Sequence, residues 1–110
     1  MATFDEFLKI DIRVGTVVNA SAFPEAKKPA IKLEIDFGPE LGVKRSSAQL
    51  TMHYTPADLV GRQVVAVVNF PVRRIATFDS EVLVLGAMPG TGEVVLLEVE
   101  RVVGNGTRIG

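Results

Sequence analysis

Three short aliphatic runs in the second half of the chain constrain its fold: Val64–Val68, Val82–Leu85 and Val94–Leu97. They are rich in valine and leucine and carry no polar residue, which is typical of strands covered on both faces. In a small barrel one cover is the interior, and the other is the tail, a helix or a partner subunit. The chain is therefore predicted to be an all-β protein built around one barrel.

The first half of the chain carries strands with one apolar face. From Ile31 to Phe37 every second residue is apolar, a pattern typical of a half-buried strand. Ile10 to Val18 alternates in a similar way, and Gly15 inside it predicts a bulge or bend at a barrel corner. After turn signals at 38–42, Lys44 to Leu50 is predicted to return as an antiparallel strand.

Two short helices are predicted from capping signals. Thr3 and Glu6 fit a capping box, and Phe4 and Phe7 lie on one apolar face of the helix that follows. The segment Thr55–Leu59, with proline at the first helical position, predicts a second short helix. Five strands with a helix between the third and fourth match an OB-fold, a Greek-key barrel.

The C-terminal residues are predicted to fold back as an extra hairpin. Asn105-Gly106 is typical of a tight hairpin turn, so Glu98–Val103 and Thr107–Ile109 are predicted to pair. No repeat, low-complexity tract or interdomain boundary interrupts the sequence. Residues 1–110 are therefore predicted to form a single domain.

The absence of cysteine excludes disulfides, thiolate metal sites and cysteine nucleophiles, and it favours a reducing compartment. The first residues are acidic where a signal peptide is basic, and no apolar run approaches the length of a membrane helix, about 18 residues. We therefore expect a cytoplasmic protein that does not insert into membranes.

No set of residues predicts catalysis. His53 is the only histidine, and nothing in the sequence pairs it with a nucleophile or with other metal ligands. Ser46 and Ser47 lack the glycines of a nucleophile elbow, so hydrogen bonding within a strand is expected of them. Glu34 and Asp36 share a face with a lysine, which predicts a solvated ion-pair surface. The chain is predicted to be a binding protein without catalytic residues, metal or cofactor.

The segment after the fourth strand combines aromatic and cationic residues. Pro71 ends that strand and begins a loop, which borders the ligand groove in an OB-fold. Phe70 and Phe78 supply apolar rings, and Arg73 and Arg74 supply planar donors. The mixture suits either stacked bases with phosphates or an extended unfolded peptide. The alternative is that both rings fill the end of the core and both arginines are solvated.

Several motifs resemble the family of OB-fold tRNA-binding domains found at the C-termini of methionyl-tRNA synthetases and in free-standing dimeric relatives. They are Asp11–Gly15, Tyr54–Pro56, Leu59–Gly61 and Val67–Asn69. Asn69–Arg74 and Ser80–Leu83 replace the Lys-rich loop and the Ser-Glu-Gly-Met stretch of the tRNA-binding members. The first of these stretches, Asn69–Arg74, is similar to the version found in a chaperone branch of the family that serves bacterial protein export.

The resemblance implies a homodimer that binds unfolded or pre-export polypeptides in apolar surface grooves without ATP and cooperates with the export ATPase SecA. By the same analogy the peptide site is assigned to Phe70, Pro71, Arg73, Arg74 and Phe78, with Lys32, Ser46, Ser47, Gln49 and Tyr54 on neighbouring elements. Phe4, Phe7 and the tail are the implied dimer contacts.

Two other functions remain open. A structure-selective tRNA-binding module would need its cations on one face: Lys27, Lys28, Lys32, Lys44, Arg45, Arg73 and Arg74. The formal net charge of −1 lacks the basic excess of most autonomous nucleic-acid binders, so weak tRNA binding is the expectation. A structural adaptor would instead dimerise and dock on a folded partner.

Overall fold

The computed structural model describes residues 1–110. Its elements, in chain order, are α1 (Phe4–Leu8), β1 (Ile12–Ala22), β2 (Ile31–Asp36), α2 (Gly38–Leu41), β3 (Val43–Ala48), α3 (Pro56–Leu59), β4 (Gln63–Val67), β5 (Arg73–Ile75), β6 (Phe78–Ser80), β7 (Leu83–Val84), β8 (Gly86–Ala87) and β9 (Val95–Leu96). None of the helices has the length and apolar character needed to cross a membrane.

Five strands form a nearly closed barrel in the order β3-β2-β1-β4-β7, with every pair antiparallel. The two ends of this sheet meet where the Ser46 hydroxyl donates to the Val82 carbonyl (3.0 Å) and the Glu81 N–H donates to the Arg45 carbonyl (2.8 Å). Helix α3 connects the third and fourth barrel strands. This is the predicted OB-fold arrangement, which is thereby confirmed.

Strand β2 provides the largest share of the barrel core. Its alternating residues Ile31, Leu33 and Ile35 are buried, as is Phe37 directly after the strand. The period-two pattern in the sequence therefore predicted the inward face correctly. The 38–42 turn contains the short helix α2, and β3 ends at Ala48, two residues before the predicted end.

Gly15 does not form the predicted bulge. It pairs regularly with Val64, and the irregularity in β1 lies between Val17 and Asn19. A β-carbon at Gly15 would lie 2.6 Å from Ile35 Cγ2 and 2.8 Å from the Phe37 ring. Glycine is required here because the core side chains approach the backbone closely.

Strand β4 is covered on both faces, as its aliphatic run predicted. Val64 and Ala66 face the main core, and Val65 and Val67 are buried on the opposite face. The tail crosses that opposite face, since the Gln63 amide donates to the Val103 carbonyl (2.8 Å) and accepts from its N–H (3.2 Å). The second cover is therefore the tail.

The predicted pairing of Glu98–Val103 with Thr107–Ile109 is wrong, although the turn between them is present. Gly106 has a φ of 88°, and the residues after it pair with β1: Val14 N–H donates to the Thr107 carbonyl (2.9 Å) and Ile109 N–H to that of Ile12 (2.8 Å). Strand β2 pairs with β1 only from Thr16 onward, so the start of β1 offers the tail unpaired backbone groups.

Arg13, in the Asp11–Gly15 motif, holds the tail in place. Its guanidinium donates to the Asp11 carboxylate at 2.6 and 3.2 Å and to the Gly106 carbonyl at 3.0 Å. The hydrogen bond to Asp11 raises the pKa of Arg13 above its ordinary value. Thr16 adds a hydrogen bond from its hydroxyl to the Asn105 side-chain oxygen (2.6 Å). This part of the motif therefore stabilises the fold.

The predicted capping box at Thr3 and the predicted N-cap at Thr55 are both confirmed. Thr3 and Glu6 exchange side-chain and backbone hydrogen bonds at the start of α1. At the start of α3 the backbone N–H and the hydroxyl of Thr55 both donate to the Asp58 carboxylate at 2.9 Å, and these hydrogen bonds lower the pKa of Asp58.

The predicted loop after β4 contains regular structure. Strands β5 and β6 form a hairpin closed by Ala76 and Thr77, in which Ala76 has a φ of 53°. Arg74 lies opposite Asp79 and donates to its carboxylate at 2.8 Å. This cross-strand ion pair stabilises the hairpin. The sequence of the hairpin lacks the apolar alternation by which strands are recognised, so the segment was predicted as a loop.

Candidate functional site

A surface cleft of about 560 Å³ opens between the β1–β2 connection and the β5–β6 hairpin. It is lined by Glu25, Ala26, Lys27, Lys28, Ala30, Ser47, Gln49, Arg73, Arg74, Ile75 and Ala76. Four of these eleven residues are hydrophobic. The cleft is therefore more polar than the apolar groove that the resemblance implied.

The β1–β2 connection forms the first wall. It begins at the buried Phe23, whose N–H donates to the Ala30 carbonyl (3.2 Å) and whose carbonyl accepts from Ala26 (3.2 Å). These bonds close the connection into a compact loop, with Lys27 and Lys28 exposed on it. Neither lysine forms an ion pair, so both charges remain available to a ligand.

The β5–β6 hairpin forms the second wall. Arg74 is paired with Asp79, whereas Arg73 is exposed and forms no ion pair. The lining thus holds four cationic side chains and one carboxylate, that of Glu25. A cleft with this excess of positive charge attracts acidic ligands.

An aromatic pair joins the two walls at their bases. The rings of Phe23 and Phe78 meet edge to face, with their centroids 5.4 Å apart. Lys32 Nζ lies 5.3 Å and 5.9 Å from the two centroids, and the Arg45 guanidinium lies 5.2 Å from that of Phe78. These contacts fix the hairpin against the β1–β2 connection, so they set the width of the cleft.

The structure brings only part of the predicted peptide site together. Ser47, Gln49, Arg73 and Arg74 line the cleft, and Lys32 and Phe78 lie at the base of its walls. The other predicted residues lie outside the lining: Ser46, Tyr54, Phe70 and Pro71.

The residues outside the cleft have identifiable contacts or exposure. Ser46 is buried and donates to the Val82 carbonyl. The Tyr54 hydroxyl accepts from the Leu96 N–H at 3.0 Å, and its ring lies 5.3 Å from the Arg62 guanidinium. Phe70 is 45% exposed on the connection before β5. Phe70 is therefore a partly exposed ring, whereas Ser46 and Tyr54 form hydrogen bonds that hold strands together.

The peptide site predicted from the sequence included no residue of the wall formed by the β1–β2 connection. A signal was present, because Lys27 and Lys28 lie between Pro24 and Pro29 in the loop after the first barrel strand. In OB-folds the loop between strands one and two borders the ligand surface together with the loop between strands four and five.

A second cleft of about 350 Å³ continues from the first. The two share Lys28 and Gln49, and the second extends to Pro29, Thr51, Met52 and Gly92. The His53 ring nitrogen lies 2.7 Å from the Glu93 carboxylate next to it, linking the loops on either side. The two clefts therefore adjoin at Lys28 and Gln49, and together they are called the groove.

A separate apolar surface lies on α1, none of whose residues is buried. Phe4 is 73% exposed and Phe7 39% exposed. The end of α1 is fixed to the barrel by Asn69, whose side chain donates to the Lys9 carbonyl (2.8 Å) and accepts from the Asp11 N–H (2.9 Å). The helix is thus held in place with its phenylalanines facing solvent.

Comparisons with known proteins agree with this fold. A family model described as a putative tRNA binding domain matches residues 12–108. The methionine–tRNA ligase of Neisseria meningitidis is 38% identical over 110 residues, which cover 99% of this chain and 16% of the ligase. The chain therefore spans a small part of the curated relatives it matches.

Two solved structures superpose over the whole chain. The chaperone CsaA from Bacillus anthracis is 59% identical with a TM-score of 0.96, covering 100% of this chain and 99% of that one. The CsaA chaperone protein from Picrophilus torridus is 48% identical with a TM-score of 0.93, covering 100% of both chains. The resemblance inferred from the sequence motifs is confirmed, and this chain belongs to the tRNA-binding domain family.

Proposed function

We propose that this protein is an ATP-independent chaperone that binds unfolded or pre-export polypeptides, and that it is not an enzyme. The groove formed by the two adjoining clefts carries the proposal, because an open surface groove suits an extended chain. The similarity to two CsaA chaperones over the full length of this chain supports it.

The chemistry of the groove suits weak, reversible capture. Small side chains such as Ala26 and Ala76 leave the backbone accessible, and the cations add attraction with little sequence preference. Phe70 and Val72, both exposed on the connection into β5, add apolar contacts beside the groove. Two such sites in a homodimer would bind one long chain more tightly through effective concentration.

The cellular part of the proposal follows the chaperone branch of the family. We place the protein in the cytoplasm, where it holds preproteins unfolded and delivers them to the export ATPase SecA. Co-sedimentation with purified SecA and a preprotein tests this step, and a failure to form the ternary complex would remove SecA from the proposal.

Phe70→Ala is expected to weaken capture of unfolded polypeptides about threefold to tenfold, because an exposed ring would lose its contact with the ligand. The free energy of unfolding measured in urea should stay within about 0.5 kcal/mol of the wild type, as for other surface substitutions. Suppression of light scattering from a denatured client measures capture without ATP. Unchanged suppression would remove Phe70 from the site, and no suppression by the wild type would overturn the chaperone proposal.

Replacing both Phe4 and Phe7 with serine is expected to convert a dimer into monomers, because α1 would no longer present its apolar face to a partner subunit. Sedimentation velocity measures the change. Val60→Ser is the control, since Val60 is an apolar residue that is 53% exposed at the end of α3 and is not part of α1. A wild type that is monomeric, or a double variant that stays dimeric, would contradict this assignment.

A tRNA-binding module is the second candidate, favoured by the family model and by the cationic lining of the cleft. Lys27, Lys28, Arg73 and Arg74 gather there, whereas Lys44 and Arg45 lie on β3 outside the lining. Binding to phosphates would weaken steeply as salt is added, because each contact releases counterions. The adaptor alternative predicts binding to a folded partner and no suppression of client aggregation.

A further inference from the structure

We propose that the ligand binds as an added β-strand on the free edge of β5, and that the preferred ligand is an extended, acidic peptide segment. This inference rests on the proposed function and specifies how the groove recognises its ligand. It follows from the register of the β5–β6 hairpin and from the charges around it.

The register determines which backbone groups of β5 are free. Ile75 and Phe78 flank a two-residue turn, so they exchange the last pair of backbone hydrogen bonds in the hairpin. Antiparallel pairs alternate, so Arg74 and Asp79 form a pair without backbone hydrogen bonds. The N–H and carbonyl of Arg74 therefore point away from β6.

Those groups lie on the edge of β5 that has no partner strand. Strand β5 has β6 as its only neighbour in a two-stranded sheet, and its residues Arg73 to Ile75 line the cleft. A strand edge beside an open groove is the geometry of β-strand addition, in which main-chain hydrogen bonds supply affinity for varied sequences. This fits a chaperone, which binds many different chains.

The surrounding charges select among possible occupants. A second copy of β5 would bring its own Arg73 and Arg74 against the same residues, and like charges opposed across strands are destabilising. Acidic side chains on an added strand would instead meet Arg73 on β5 and the unpaired Lys27 and Lys28 on the opposite wall. The edge is thus protected against self-pairing and complementary to an acidic chain.

The decisive comparison is Arg74→Pro against Arg74→Ala. Both variants lose the guanidinium and its ion pair with Asp79, but only proline also removes the outward N–H, a change that edge strands tolerate. Anisotropy of a labelled, unstructured peptide rich in glutamate and valine should show binding to Arg74→Pro about tenfold weaker than to Arg74→Ala. Equal affinities would overturn strand addition.

Two further measurements use modified peptides to test main-chain recognition and the acidic preference. The wild type should bind a peptide N-methylated at alternate residues about tenfold more weakly than the parent peptide, which tests main-chain recognition even if Arg74→Pro fails to fold. A peptide with lysine in place of glutamate should also bind about tenfold more weakly, and equal binding would overturn the acidic preference.

The same experiments separate this inference from the proposed function. A wild type that binds no unfolded polypeptide contradicts the proposed function itself. A wild type that binds both methylated and parent peptides equally remains a chaperone but does not use the β5 edge. If Arg74→Pro alters self-association in sedimentation, the edge is occupied by a second copy and the inference is wrong.

Discussion

Gly106→Ala is expected to lower the free energy of unfolding by about 3 kcal/mol, a large part of the stability of a small domain. Two effects contribute. The backbone φ of 88° is unfavourable for any residue with a β-carbon, and that carbon would lie 2.5 Å from the Phe37 carbonyl oxygen. The added carbon and the Phe37 oxygen have little room to move apart. Phe37 is buried, and the backbone of Gly106 is hydrogen-bonded to Arg13 and Val14.

Gly61→Ala is the matched control. Gly61 has a φ of 89°, almost the same as Gly106, but a β-carbon there would meet nothing within 4 Å. It should cost about 1 kcal/mol, the conformational penalty alone. Urea unfolding with a common m-value measures both variants. Equal losses would show that the tail does not pack tightly on Phe37, contrary to our description of the fold.

Replacing both Lys27 and Lys28 with glutamate is expected to weaken binding of an acidic unfolded peptide by about tenfold or more, chiefly through slower association. These lysines are exposed, unpaired and located on the wall opposite Arg73. Reversing them replaces attraction with repulsion along the groove. Stopped-flow fluorescence at several salt concentrations should show a slower association rate, which rises as salt is added because salt screens the repulsion.

The control for this charge reversal is a double variant with an equal change in net charge at residues outside the groove. Lys9 and Arg101 are exposed residues outside both clefts, so replacing them with glutamate should leave peptide association within about twofold of the wild type. If both double variants slow association equally, the overall charge of the protein governs binding. The position of Lys27 and Lys28 in the groove would then have no specific effect on association.

The sequence predicts the parts of this fold that depend on neighbouring residues. The alternation from Ile31 to Phe37 gives the inward face of β2, because side chains on a strand alternate by geometry alone. The capping box at Thr3 and the N-cap at Thr55 are equally local, since each cap contacts a residue three positions away. The order of motifs along the chain then identifies the barrel.

Features that depend on distant residues were not predictable in this way. The tail pairs with β1 because Arg13 and the open start of that strand lie beside it in space, although they are far apart in sequence. Gly15 looked like a bulge, but its role is set by Ile35 and Phe37 across the sheet. In both cases a local rule was overridden by tertiary contacts.

The candidate site also combines residues that the local sequence indicates with residues that only the fold brings together. Arg73 and Arg74 stand out because a cationic pair follows an aromatic residue and a proline. The sequence named Lys27 and Lys28 only as cations of a tRNA-binding module, and the fold places their loop across the cleft from the arginines. Phe78 was identified as a ligand contact, but its packing against Phe23 shows that it also holds the two walls together.

The central claim is that the groove captures unfolded acidic polypeptide in preference to tRNA. The most direct measurement is anisotropy of a labelled, permanently unfolded acidic polypeptide titrated with this protein at several salt concentrations, with unlabelled tRNA as competitor. We predict a saturable complex that Lys27→Glu with Lys28→Glu weakens and that equimolar tRNA does not displace. A polypeptide that fails to bind, or one displaced by tRNA at equal concentration, would contradict this account.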